Sequence, residues 1–463
     1  MINCIKNIAN LVLFLHKISK YQILTYPEKI KIPRRIRFLA GVVCLIIYPK
    51  RFFITPKQAF GIRLANFFKD LGPIYIKFGQ TLSTRPDLIG RDVAHHLKSL
   101  QDKLRPFDSK IAKNKIEETF GTKISEIFSS FNDIPVAAAS IAQVHKAVLV
   151  TGEKVAVKIL RPDITKTYNN DIIFLEFIAD FTARFVRNSQ RLKPREVIAV
   201  FRESMNCELN LLMEAAAASR LADNFALDKS ICIPKIYWEL TSEEIITLEW
   251  INGISIYNRE KLIKNKLNPD DIAAKIAVIF FNQAYRDGFF HADLHPGNIL
   301  VKKNGEIALI DFGIIGILSE DDRLAIAEIL YAFLKRDYKL VASVHHRISY
   351  IPKNTNLELF AQRCRAIAEP IIGKQIKNIS IGNLLAQLFK ITEEFGMETQ
   401  PQLLLLQKTV VVVEGIGQSL DPEINMWQLA EPWIKKWAAK NLTPEAKLLR
   451  IAKKFINRIA EDL

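Results

Sequence analysis

Several short stretches of the chain carry side chains that could act on a phosphoryl group. Val155-Ala-Val-Lys158 ends an apolar run in a lysine, which puts an ammonium where a strand meets a cleft. Glu214 follows in a helical run, ahead of four alanines that permit close helix packing. His291-Ala-Asp-Leu-His-Pro-Gly-Asn298 holds Asp293 and Asn298 with four residues between them, and Pro296-Gly297 lets the chain bend tightly. Asp311-Phe-Gly313 starts thirteen residues after Asn298, behind the apolar run Ile307 to Ile310. Phosphoryl transfer needs a cation on the α/β-phosphates, an acid holding that cation, metal-binding oxygens, and a base near the acceptor. Lys158, Glu214, the pair Asn298 and Asp311, and Asp293 fill those roles in chain order. The expected cofactors are ATP and Mg2+, because a carboxylate and an amide oxygen next to phosphates suit that hard cation.

Each piece alone has a bland reading: a surface lysine, a solvated helix glutamate, a chance Asp-Phe-Gly. The order and spacing of the set give it weight. His291 is read as a structural residue that orients the loop around Asp293. Ahead of the lysine strand lies Val136, Ala137, Ala138, Ala139, Ser140, Ile141, Ala142, Gln143 and Val144, read as the cover over the nucleotide phosphates. Alanines keep such a loop small but narrow its backbone choices relative to glycines; the alternative is an ordinary alanine-rich helix start. Glu249 to Ile251, after an apolar strand, is the expected hinge that reads adenine through its backbone.

These residues need strands and helices to hold them. Val144 to Val150 and Val155 to Leu160 are β-branched runs around a tight turn, and so predict a paired hairpin. Further strands are expected at Ile245 to Trp250, Ile299 to Lys302 and Ile307 to Ile310. Helical patterns cover Phe60 to Phe128, Ile172 to Phe185, Val197 to Phe225, and much of the chain from Glu320. A small β-rich part followed by a large helical part is an α+β order. The expected divisions are 1–60 (a basic, apolar arm), 61–128 (a helical extension), 129–253 (the small lobe), 254–430 (the large lobe) and 431–463 (a basic amphipathic tail).

The chain has 463 residues and a net charge of +16, and residues 1–70 carry +11 of it through thirteen Lys/Arg against Glu28 and Asp70. Basic residues there interleave with Ile8 to Leu15 and Phe38 to Tyr48, which suits an anionic membrane surface better than nucleic acid. The other reading is a solvated basic face. No segment reads as a membrane span: Leu403 to Val413 is broken by Gln407 and Lys408, and the other apolar runs are short or interrupted. Without a convincing signal peptide, the expected place is the cytoplasmic side of an inner membrane, held peripherally. Five scattered cysteines suit a reducing compartment. The segment from Leu448 to Ile459 is amphipathic, and could lie on a membrane or dock on the large lobe.

The motifs resemble the UbiB family of atypical kinase-like proteins (the ADCK group). The resemblance spans about Phe60 to Trp433 and includes Lys77-Phe-Gly-Gln80, like the family's KxGQ motif. It implies an α+β, protein-kinase-like bilobed fold with an N-terminal helical (KxGQ) extension. Lys77, Gln80 and Glu208 would gate the pocket against a protein substrate. It also implies an ATPase or atypical kinase that supports ubiquinone biosynthesis at a membrane, with membrane lipids, quinone precursors or biosynthetic enzymes as partners and no nucleic acid. Two departures stand out. Glu208-Leu-Asn210 replaces the family's ExD, and His295 stands where protein kinases place a lysine, so a neutral imidazole gives less charge stabilisation there.

Overall fold

The computed structural model describes residues 12–23, 58–83, 89–100, 104–185, 194–372, 381–397, 400–423 and 426–441, with residues 443 and 445. Most of the basic arm and the segment Leu448 to Ile459 therefore lie outside the described residues. The chain divides into two compact units, residues 1–213 with 237–250, and residues 214–236 with 251–463.

In the first unit, strands Phe128–Phe131, Ala142–Leu149, Lys154–Leu160 and Ile245–Glu249 pair antiparallel in that order, and Ala137–Ala138 adds to the second of them. Alternation decides what faces the core. Val155, Val157 and Ile159 are fully buried, beneath Ala112 and Ile116 of helix Ser109–Phe120. Lys158, offset by one residue, falls on the opposite face. The predicted hairpin is present, shifted by one or two residues at its ends. Helices Phe60–Leu71, Pro73–Ser83 and Arg91–Leu97 precede the sheet. The described part of the arm, residues 12–23, docks on the first of these helices and on helix Ile164–Phe185: Phe14 sits edge-on to Phe67 and Phe174, and Lys20 pairs with Asp70 at 2.8 Å.

The run read as one helix from Val197 to Phe225 is two, Pro194–Glu208 and Leu211–Asn224. The break has a local cause. Asn210 turns its side chain back so that Oδ1 accepts from the Leu212 N–H at 3.0 Å, which caps the second helix.

The second unit holds a four-stranded sheet in the order Ile231–Cys232, Ile307–Leu309, Ile299–Val301, Ile254–Ser255, and a two-stranded ribbon of Phe289–His291 with Ile315–Ile317. Around them stand helices Pro269–Phe281, Glu320–Leu334, Tyr338–Arg347, Leu357–Ile372, Ile381–Glu394, Pro401–Leu420 and Met426–Asn441. Phe333, Val341, Phe360 and Ala368 centre their core. Trp433 of the last helix stacks near Phe281, Tyr285 and Trp437 and donates to Asn282 at 2.9 Å, so this part of the basic tail docks within the unit.

The expectation that no segment is long and apolar enough to span a membrane needs correcting. Gln402–Leu420 passes by length and composition, because the helix runs on past Val413 and its two charges, Lys408 and Glu414, barely dilute it. Half of that stretch is buried inside the protein.

Candidate active site

The ribbon strand Phe289–His291 leads into the candidate loop, His291 to Asn298. Ile315 pairs with His291, and the Ala292 N–H donates to Ile314 at 3.0 Å, which fixes where the chain leaves the ribbon. His291 is fully buried. Its own N–H donates to Gln283 Oε1 at 2.9 Å, and its Nδ1 accepts from the Asp293 N–H at 3.1 Å. Nδ1 is thereby the unprotonated nitrogen. Burial pushes the imidazole's pKa down, although the Asp311 and Asp293 carboxylates favour the cation. The orienting role read for His291 matches these contacts. Gln283 was not foreseen. It sits in a π-helical turn, Asn282–Asp287, at the end of helix Pro269–Phe281, and wide turns of this kind recur at functional sites.

Asp293 and Asn298 are brought together. The Asn298 amide donates to the Asp293 carbonyl at 3.1 Å and approaches its Oδ2 at 3.5 Å. With the amide nitrogen occupied in this way, Oδ1 is the atom of Asn298 suited to a metal. The turn Pro296–Asn298 is a single 3-10 turn, closed by the Asn298 N–H donating to His295 at 2.8 Å. The ladder between Ile299–Val301 and Ile307–Leu309 continues through an Ile310 N–H bond to the Asn298 carbonyl at 2.9 Å. Asn298 and Asp311 therefore leave the same end of one hairpin.

Asp311 has a left-handed backbone, φ 66°, which a short polar residue tolerates better than most. Its Oδ1 accepts from the Gly313 N–H at 3.3 Å. Glu214 belongs to this unit as well. It is only 4% exposed, and Oε1 accepts from the Phe312 N–H at 3.3 Å, so it braces the Asp-Phe-Gly segment. Among the described residues no cluster of three or more His, Cys, Asp or Glu could cage a metal. A carboxylate and an amide at one hairpin end still fit Mg2+, which takes one or two protein oxygens with phosphates and water.

In the first unit, Lys158 lies opposite Val144 and Ile246. The segment Val136 to Val144 is not a helix start. Ala137–Ala138 forms a strand that pairs back on Gln143 and Val144, and the Ala139 N–H donates to Ala142 at 2.8 Å across a tight turn of Ser140 and Ile141. Gln143 and Ala142 are buried. The Gln143 side chain is committed to Phe107, whose N–H it accepts at 3.1 Å, and to His145 Nε2 at 2.8 Å. A residue the sequence did not single out, Arg161, clamps the turn by donating to the Ala139 carbonyl at 2.8 Å. Glu249 ends its strand exposed, the Trp250 N–H donates to Lys154 at 2.9 Å, and the unit boundary falls between Trp250 and Ile251.

Lys77 and Gln80 sit on helix Pro73–Ser83. Lys77 pairs with Glu208 at 3.0 Å, and Gln80 donates to the Leu100 carbonyl at 3.1 Å. The motif thus ties its helix to neighbouring elements of the same unit.

A family model described as the ABC1 atypical kinase-like domain matches residues 99–345, and a second, the UbiB helical domain, matches residues 364–425. These matches define the class, an atypical kinase-like protein. The curated "Probable protein kinase UbiB" of Marinobacter nauticus is 41% identical over 406 residues, 87% of this chain and 74% of that protein. Its namesake from Pseudomonas fluorescens strain SBW25 is 41% identical over 392 residues, 84% of this chain and 73% of that one. The chain belongs to the UbiB family. A solved structure, Rv3197 with erythromycin from Mycobacterium tuberculosis, aligns with a TM-score of 0.48 and 22% identity, over 76% of this chain and 90% of that one.

Proposed function

We propose that this protein is a kinase-like ATPase that supports ubiquinone biosynthesis at a membrane surface. The observation that carries the reading is the joint placement of Asp293, Asn298 and Asp311, with Asn298 bonded to Asp293 and sharing a hairpin end with Asp311. In this reading Lys158 and the Ala137 to Ser140 turn hold the ATP phosphates, and Glu249 to Ile251 reads adenine. Asn298 and Asp311 hold Mg2+, which neutralises charge on the phosphates when bound. Asp293 orients the attacking water. The ubiquinone link rests on the family, and the membrane link on the +11 charge of residues 1–70. The partners are then anionic lipids and quinone precursors, met from the cytoplasmic side of the inner membrane.

ATP turnover with Mg2+, with and without anionic liposomes, tests this beside Asp311→Asn. Liposome-stimulated phosphate release that falls about 100-fold or more in the variant is expected, the scale on which loss of a group stabilising the transition state acts. Equal turnover by the two proteins would remove the metal role of Asp311.

A second reading, transfer to a small molecule or protein, is favoured by the relatives' printed name, protein kinase. Phosphate appearing on an added acceptor in excess of free phosphate would favour it. A third, a nucleotide-gated scaffold for biosynthetic enzymes, gains if Asp293→Asn restores quinone synthesis in deficient cells as well as wild type does.

A further inference from the structure

The catalytic loop lacks a lysine of its own. His295 occupies that place, and its ring is engaged elsewhere: Nδ1 accepts from the Gly297 N–H at 3.2 Å, and Nε2 meets the Tyr257 hydroxyl at 3.1 Å. Among the described residues, the cation paired with Asp293 comes from far along the chain. Lys408 of helix Pro401–Leu420 places Nζ 3.3 Å from Asp293 Oδ1. The next residue strengthens the registry. Thr409 is buried, its hydroxyl donates to Leu405 at 2.8 Å, and the Ala292 carbonyl lies 3.4 Å from the same oxygen. Two successive helix residues thus meet two successive loop residues.

Stability does not account for Lys408. Its side chain is 35% exposed and that of Asp293 39%, and ion pairs this wet contribute little to stability. The helix is already anchored by buried Leu403, Leu406, Val410 and Val413. Gln407-Lys408-Thr409 is instead a polar break between the apolar runs Leu403 to Leu406 and Val410 to Val413, at the point where that helix reaches Asp293.

We propose that Lys408 is a positioning residue that holds the Asp293 carboxylate in its working orientation and supplies the positive charge that His295 does not. The inference rests on the role given to Asp293 above. Asp293 lies within the stretch matching the ABC1 domain and Lys408 within that matching the UbiB helical domain. The helical domain is then part of the catalytic apparatus rather than an appendage.

A double-mutant cycle on ATP turnover by the full chain tests this. Lys408→Met is expected to lower kcat about 10- to 100-fold with KM for ATP within about twofold, and Lys408→Arg to keep kcat within about fivefold of wild type, scales set by the loss of one charge-assisted contact. Lys408→Met added to Asp293→Asn is expected to cost nothing further. A purely structural lysine would give losses that multiply, and that result overturns the proposal. So does Lys408→Met turning over like wild type while Asp293→Asn fails. Lys408→Gln replaces Lys408→Met if the latter does not fold. If Asp293→Asn turns over like wild type, the reading of Asp293 fails first and the role of Lys408 with it. If wild type releases no phosphate, the ATPase reading fails by itself. Restoration of quinone synthesis in deficient cells by the same variants then decides on Lys408: failure of Lys408→Met with success of Lys408→Arg supports it, and success of both overturns it.

Discussion

Glu208 and Lys77 form an ion pair in which the side chains are only 10% and 16% exposed. A pair this dry is sensitive to losing one member, because the remaining charge keeps its desolvation cost and loses this contact. Glu208→Ala should therefore destabilise the protein by about 1–3 kcal/mol in urea denaturation, the scale of a lost hydrogen bond to a charged group. Lys77→Met combined with Glu208→Leu should recover most of that loss. A cost for Glu208→Ala below about 0.5 kcal/mol, the range of ordinary surface substitutions, would show that the pair holds little. The spacing of Lys77 and Gln80 was legible as one helix face. Their partners, Glu208 and the Leu100 carbonyl, were not, since 131 and 20 residues of chain separate them from the motif.

At the level of elements, Asn210 carries a departure from the family pattern. Asparagine and aspartate are comparable N-caps, and Asn210 uses its oxygen on the Leu212 N–H. Asn210→Asp is accordingly expected to leave stability within about 0.5 kcal/mol of wild type, whereas Asn210→Ala should cost about 1 kcal/mol. Thermal denaturation of the three proteins checks this, and equal stability for Asn210→Ala would remove the cap from the account. The helix break at Asn210 was missed because apolar periodicity runs through it on both sides, and a cap signal inside a long pattern is easily read as a solvated residue. The β-hairpin around Thr151-Gly152 was legible because a two-residue period next to a turn admits few other folds.

Over the whole molecule, acid sensitivity has an identifiable source in the helical core of the second unit. His345 is fully buried against Phe360 and Tyr350, and its Nδ1 donates to the Val341 carbonyl at 2.8 Å. Burial pushes its pKa down from 6.5 to about 4. Between those values the unfolded chain binds the proton more readily than the folded one, so stability rises with pH across the window. The contribution is complete above 6.5 and is lost as pH falls towards about 4, a change on the order of 3 kcal/mol for a shift of this size. Urea denaturation from pH 7 to pH 4 should show this loss, and His345→Gln should flatten it. An unchanged slope in the variant would assign the acid sensitivity to other groups.

The sequence by itself determined the family and the order of its motifs. Lys158, Asp293, Asn298 and Asp311 stand out as candidates by residue type and short spacing, and the local elements that present them follow from periodicity and from turn residues such as Pro296-Gly297. Tertiary structure alone decided which distant side chains complete the loop. Gln283 reaches His291 across eight residues, Glu214 reaches Phe312 across ninety-eight, and Lys408 reaches Asp293 across a hundred and fifteen. The reason is physical. Local patterns record constraints within a few residues of chain, while a contact between remote segments depends on how helices pack, and a lone Lys408 in an apolar helix reads as an interruption until the packing shows what it faces.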